Sequence, residues 1–231
     1  MRHHLRAPAK LTLSLRVTGV RDDGYHLIDA EMVTLDLADS LTFDEGDGLE
    51  VTGAALPADD LVTRAMRAVG KRALVRLDKR IPMGAGLGGG SADAAAVLRW
   101  AGCDDVDVAL ALGADVAFCL VGGRARVRGV GEIVDHLPFL DAAYTLLTPP
   151  FHVSTPAVYR AWDDLGGPKA DGPNDLEPAA LAVEPRLAEW RDRLGDATGL
   201  TPVLAGSGGT WFVAGEHPEV VGAVVTRTDR P

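Results

Sequence analysis

The run Pro82-Met83-Gly84-Ala85-Gly86-Leu87-Gly88-Gly89-Gly90-Ser91-Ala92-Asp93 gathers five glycines just ahead of an alanine-rich stretch that ends at Ala101. Glycine lets the backbone approach a ligand closely. A helix start offers unpaired N–H groups and partial positive charge. Together they make an anion site, above all for phosphate. Ser91 or Gly90 reads as the N-cap, and the Ser91 hydroxyl is placed to reach a phosphate or its metal ion. In form, Gly84-x-Gly86-x-x-Gly89 matches the dinucleotide fingerprint. A dinucleotide fold, however, wants a second parallel strand ending in an acid some twenty residues on. Asp104 and Asp105 near that distance open a helical run instead. No Lys-Ser or Lys-Thr follows the last glycine, so this is not a P-loop. The remaining alternative is a flexible turn between a strand and a helix.

Four other places carry chemistry-bearing residues. Lys10 has Thr12 two positions on, and the pair shares one strand face; a solvated edge lysine is the plainer reading. Tyr25-His26 follows a turn, where an aromatic beside an imidazole suits stacking on a base and bonding to its edge; packing on a hairpin would explain it too. Asp115 reads as a carboxylate at a loop end, or as a turn residue bonding its own backbone. Gly206-Ser207-Gly208-Gly209 is a second glycine loop or a plain hairpin turn. Jointly these places gain meaning. Phosphoryl transfer needs a cation to offset developing charge and a carboxylate near the acceptor hydroxyl to take its proton. Lys10 and Asp115 can be that pair.

The elements that must position these residues follow from periodicity. Leu11, Leu13, Leu15 and Val17 alternate with polar residues, which predicts a strand. Arg21-Asp22-Asp23-Gly24 is a turn, and residues 25–37 form the return strand. Shorter strands follow at 41–43 and 49–52. Asp59-Asp60 caps a helix over 61–72. A strand at 74–77 leads into the glycine loop, the Ser91 helix and a short helix over 105–112. Residues 113–115 turn into an apolar strand at 116–121, with further strands at 124–128, 132–137 and 144–148. Thr148-Pro149-Pro150 is the expected boundary between a first domain (1–148) and a second (149–231). Beyond it Ser154-Thr155-Pro156 starts a helix to about Asp164. Asn174 or Asp175 caps another, Pro185 opens a third, strands lie at 202–205 and 211–214, and a last helix follows Pro218. The class is α+β.

Composition bounds the partners. The 231 residues are 47% hydrophobic and 5% aromatic, with a net charge of −10. That balance argues against nucleic acid or an anionic membrane as partner. A small anionic substrate remains compatible where positive potential is focused locally. The N-terminus lacks the apolar run of a signal peptide, and no apolar segment is long enough to span a bilayer. Cys103 and Cys119 have neither metal nor redox spacing, so free thiols and a cytoplasmic setting are expected. His3-His4 reads as a solvated terminus.

At these residues the chain resembles the GHMP kinases. The resemblance rests on Ala7-Pro8-Ala9-Lys10-Leu11, Gly24-Tyr25-His26, residues 81–96, Leu112-Gly113-Ala114-Asp115-Val116, Gly129-Val130-Gly131-Glu132, Asn174-Asp175-Leu176-Glu177-Pro178 and Gly206-Ser207-Gly208. Tyr25-His26 and the Asn174 stretch resemble the branch whose acceptor alcohol carries a cytidine diphosphate group. The resemblance implies a first domain like ribosomal protein S5 domain 2 and a ferredoxin-like second domain, with the active site between them. It implies ATP and Mg2+ as cofactors. The nucleotide would lie on Pro82, Gly84, Ala85, Gly86, Leu87, Gly88, Gly89, Gly90, Ser91 and Ala92, with Asp60 and Leu61 near adenine. Asp115 would be the general base and Lys10 its partner. Tyr25 and Tyr159 would sandwich the cytosine, and His26 would bond its edge. Thr12, Thr155, Gly206 and Ser207 would complete the acceptor site. Thr12 and Asp60 stand where the family usually has asparagine. A kinase for another small alcohol, or an inactive nucleotide-binding relative, are the alternatives.

Overall fold

Alternation over residues 11–17 is one part of a longer strand, β1 (His3–Val20), which pairs antiparallel with β2 (His26–Asp44) from His3↔Phe43 to Val20↔His26. The computed structural model describes residues 2–230. One edge of β2 carries β1. The other carries β5 (Arg124–Gly129) along residues 28–33 and β4 (Leu74–Asp78) along residues 40–44. β3 (Gly48–Thr52) joins β4 in parallel and β6 (Ile133–His136) joins β5, which completes a six-stranded sheet. Four helices cover it: α1 (Leu61–Ala68), α2 (Gly89–Ala101), α3 (Val106–Leu112) and α4 (Ala114–Val121). α2 lies centrally, packed on β1, α1 and α4, and its run from Ala92 to Leu98 is buried. Small alanine side chains let the helix approach the sheet closely.

A second sheet has the order β10-β7-β9-β8. Its strands are β7 (Ala143–Leu147), β8 (Val203–Leu204), β9 (Trp211–Ala214) and β10 (Val224–Arg227). With it go α5 (Thr155–Asp164), α6 (Glu177–Val183) and α7 (Leu187–Thr198). The two sheets share an apolar cluster: Leu11, Val33, Ile81 and Leu87 from one side meet Tyr144, Leu146 and Phe212 from the other.

Several expectations are corrected. The strands expected at 25–37 and 41–43 are one strand, β2. The break in apolar alternation was Asp39, which is fully buried and accepts the N–H groups of Arg80 and Ile81. Residues 116–121 form helix α4, not a strand. Val116 to Cys119 are buried and Leu120 and Val121 half-buried, and a short apolar run of this kind has no periodicity that separates helix from strand. The helix over 61–72 stops at Ala68, with Val69 as its C-cap and Gly70 beyond. α2 starts at Gly89 with Gly88 as N-cap, so neither Ser91 nor Gly90 caps it. Asn174 and Asp175 do not cap α6. Asn174 Oδ1 instead accepts Leu176 N–H at 2.9 Å in a turn ahead of it. The helix expected after Pro218 is a turn followed by β10, where β-branched Val224, Val225 and Thr226 favour the pleated state. Strand β7 is hydrogen-bonded into the second sheet. The chain leaves the first sheet between β6 and β7.

Candidate active site

The glycine loop runs from the end of β4 to α2 and is held at both ends. Lys79 Nζ donates to Asp93 Oδ2 at 2.7 Å and to Asp39. All three side chains are buried. Asp39 lies on β2, Lys79 precedes the loop and Asp93 lies in α2, so one ammonium joins three elements. Two buried carboxylates share that single cation, and Asp93 Oδ1 has no hydrogen-bond partner among the described residues. Burial pushes the Asp93 carboxyl up to about 7, against the pull of Lys79.

The loop also docks on the second glycine loop. A Cβ on Gly86 would stand 2.5 Å from Ala205 O and 2.8 Å from Gly208 O, a backbone approach that only glycine permits. Thr210 N–H donates to Ala85 O at 3.1 Å. Asn174 holds the second loop in turn, donating from Nδ2 to Leu204 O at 2.8 Å and Gly206 O at 2.7 Å. Asp175 ties that segment to β1, accepting Arg16 Nη1 at 2.7 Å and Val17 N–H at 3.1 Å.

Two cavities open on the loop. The first, about 310 Å³, is lined by the loop from Ile81 to Ser91, by Asp60 and Leu61 at the start of α1, and by Lys79 and Asp93. Asp60 is the N-cap of α1: Oδ1 accepts Thr63 N–H at 2.8 Å and Oδ2 accepts the Thr63 hydroxyl at 2.7 Å. Both oxygens are thus committed to the helix start, a role that a carboxylate fills as well as an amide oxygen. Ala92, expected beside the loop, is buried in the first turn of α2 and does not line this cavity.

The second cavity, about 550 Å³, meets the first at Gly86 and Ser91, which line both. At this junction Lys10 Nζ lies 3.2 Å from Asp115 Oδ2 and donates to Thr12 Oγ1 at 3.1 Å. Lys10 is 4% exposed, so it is no solvated edge residue. Its backbone N–H donates to Leu87 O at 3.0 Å, which joins β1 to the loop. Asp115 stands in the first turn of α4. At the far end Tyr25 projects from the β1–β2 turn, 64% exposed. His26 opens β2, and α5 presents Tyr159 and Asp163. Burial first, and then the Asp115 charge, push the Tyr159 hydroxyl well above the usual phenol range. The Thr155 and Ser207 hydroxyls bond at 2.7 Å across the cavity wall, and Gly206 faces Lys10 and Thr12.

A kinase from Paracoccus denitrificans, named 4-diphosphocytidyl-2-C-methyl-D-erythritol kinase, is 41% identical over 89% of this chain and 84% of its own. A relative of the same name from Ruegeria pomeroyi is 39% identical over 89% and 86%. This chain belongs to the 4-diphosphocytidyl-2-C-methyl-D-erythritol kinase family of GHMP kinases. The model of the GHMP kinases N terminal domain matches residues 60–123, from the Asp60 cap to the end of α4. A crystal structure of 4-(cytidine 5'-diphospho)-2C-methyl-D-erythritol kinase superposes with a TM-score of 0.81, at 33% identity and over 99% of this chain and 100% of the other. The mevalonate kinase of Methanococcus jannaschii, 12% identical with a TM-score of 0.63 over 100% and 99%, shares the GHMP kinase fold.

For a GHMP kinase the geometry adds residues that sequence reasoning missed. Lys79 and Asp39 carried no signal. Asp39 lies within β2 and Lys79 just beyond β4, each a single charged residue, and only strand pairing brings them together. His152 lies against the loop, since a Cβ on Gly84 would run into its ring. Asp163, the last residue but one of α5, bonds His26 Nε2 at 2.8 Å. Cys119, behind Asp115, is a buried thiol pushed up to about 12, chiefly by burial and next by the Asp115 charge. It is an inert core residue.

Proposed function

We propose that this protein transfers the terminal phosphate of ATP to the 2-hydroxyl of 4-diphosphocytidyl-2-C-methyl-D-erythritol, a step in non-mevalonate isoprenoid precursor synthesis. The observation that carries this reading is the Lys10–Asp115 pair at 3.2 Å, placed where the two cavities join. ATP occupies the first cavity, with its phosphates over the glycine loop and the N–H groups that open α2. The acceptor occupies the second. Asp115 takes the proton of the attacking hydroxyl, and the Lys10 ammonium beside it offsets the charge that develops on the transferred group. Thr12 fixes the ammonium through its hydroxyl. Tyr25 and Tyr159 offer the aromatic faces for the base, and His26 its hydrogen bond.

Among the described residues no group of three or more His, Cys, Asp or Glu side chains is arranged to hold a metal ion. Mg2+ needs no such group, since it keeps several waters and takes phosphate oxygens with one or two protein ligands. Ser91 lines both cavities, and its hydroxyl would hold the ion. Bound there, Mg2+ would neutralise phosphate charge. The free thiols of Cys103 and Cys119 agree with a reducing, cytoplasmic setting.

The test is ADP release with purified protein, ATP and Mg2+, offering the cytidyl acceptor beside mevalonate, homoserine and no acceptor. Turnover with the cytidyl acceptor alone is expected. Turnover with mevalonate or homoserine instead would overturn the acceptor, and no turnover with any would overturn the kinase reading.

A further inference from the structure

The ring of His26 is held by three residues of α5. Its Nε2 lies 2.8 Å from Asp163 Oδ1. Its ring stands 4.6 Å from that of Tyr159, tilted by 35°, and edge-on to Trp162 at 5.6 Å. The side chain is 9% exposed, so its rotamer is fixed by packing as well as by the hydrogen bond. Nδ1 has no partner among the described residues. Tyr25, His26, Tyr159 and Asp163 all line the second cavity.

An ionised carboxylate only accepts hydrogen bonds. The ring nitrogen facing Asp163 therefore carries the hydrogen, and in the neutral imidazole the other nitrogen is left as an acceptor. An acceptor at that place suits an amino group on a base edge. A carbonyl oxygen there would set lone pair against lone pair, and a site built for one hydrogen-bond sense rejects the other.

We propose that Asp163 is a positioning residue for base selection: by holding Nε2–H of His26 it leaves Nδ1 as an acceptor matched to the exocyclic amine of cytosine and mismatched to the carbonyl of uracil. The inference rests on the cytidyl acceptor proposed above. It places the choice between two pyrimidines on a residue outside the sandwich of aromatic rings. Tyr25 and Tyr159 stack on either base equally, because every base has a π face.

The experiment has two arms. The first is ¹⁵N NMR of histidine-labelled protein without substrate, with the His26 signals assigned by their loss in His26→Gln. The neutral ring is expected with hydrogen on Nε2 and none on Nδ1, and Asp163→Ala is expected to mix the two tautomers. The second arm compares kcat/KM for the cytidyl acceptor and its uridyl analogue. In Asp163→Ala the cytidyl preference falls by about tenfold, the size of one lost base-edge discrimination, while the KM for ATP is unchanged. Asp163→Glu restores both the tautomer and the preference. A neutral wild-type ring protonated on Nδ1, or an Asp163→Ala enzyme with undiminished cytidyl preference, would overturn the proposal. Absence of turnover with either acceptor would overturn the proposed function, and base selection with it. The tautomer arm uses no acceptor, so that failure is distinguishable from loss of the Asp163 hold.

Discussion

The stem of Lys10 lies against Gly88, so closely that a Cβ on Gly88 would stand 2.7 Å from Lys10 Cγ. The residue that caps α2 and the lysine at the cavity junction thus occupy adjoining space, with no room for a methyl group between them. Gly88 also holds φ at +67°, a left-handed conformation. Gly88→Ala is expected to add about 1–2 kcal/mol of backbone strain and to push the Lys10 stem away from Asp115. Stability should fall by that amount in urea denaturation. kcat should fall by about 10²-fold, the scale of a misplaced catalytic group.

Asp115→Asn keeps the side-chain shape and removes the base. The expected loss in kcat is about 10²–10⁴-fold, with nucleotide affinity retained in titration calorimetry. Near-wild-type turnover would remove Asp115 from the proton-transfer step.

Tyr25 contributes little to packing, being 64% exposed. Tyr25→Ala should therefore leave the melting temperature unchanged and weaken acceptor binding. Base–aromatic stacking of about 1–3 kcal/mol corresponds to a rise in acceptor KM of about 5- to 150-fold, with the KM for ATP unaffected. Steady-state kinetics with the two substrates varied separately check this.

The two carboxylates around Lys79 are not equivalent. Asp39 accepts two backbone N–H groups besides the ammonium, so Asp39→Asn leaves buried partners mismatched and should cost about 3–5 kcal/mol. Asp93 has one oxygen without a partner among the described residues, and burial raises its carboxyl to about 7. A carboxyl raised in the folded state binds its proton more tightly there than in the unfolded chain. Its stabilising contribution is therefore complete below the unfolded carboxyl value and is lost as pH rises through about 7. Asp93→Asn should flatten the loss of stability between acidic and mildly alkaline pH. At alkaline pH it should be neutral or stabilising. Denaturation midpoints across that pH range measure both effects.

Much of the site is legible in the chain because its signals are local. The glycine loop before α2, the Asp60 cap, the shared face of Lys10 and Thr12 and the start of α5 each depend on residues within one or two turns of one another. The sequence could not read the helical state of residues 116–121. A short apolar run is buried identically as strand or helix, and only packing against α2 and α3 selects between them. Nor could it read the membership of β7 in the second sheet, since hydrogen-bond partners of a strand are chosen across the fold and not along it.

The sequence by itself determined which groups are present and which local backbone can hold phosphate: the glycines, the lysine, the aspartate and the paired Tyr25-His26. Only the tertiary structure decided which of them meet. β1 brings Lys10 beside the first turn of α4, β2 brings Asp39 beside Lys79, and α5 sets Asp163 on His26. The reason is physical. Periodicity along a chain encodes which face of an element is buried, whereas the contact between two buried polar groups depends on strand pairing and helix packing, which bring together residues that are remote in sequence.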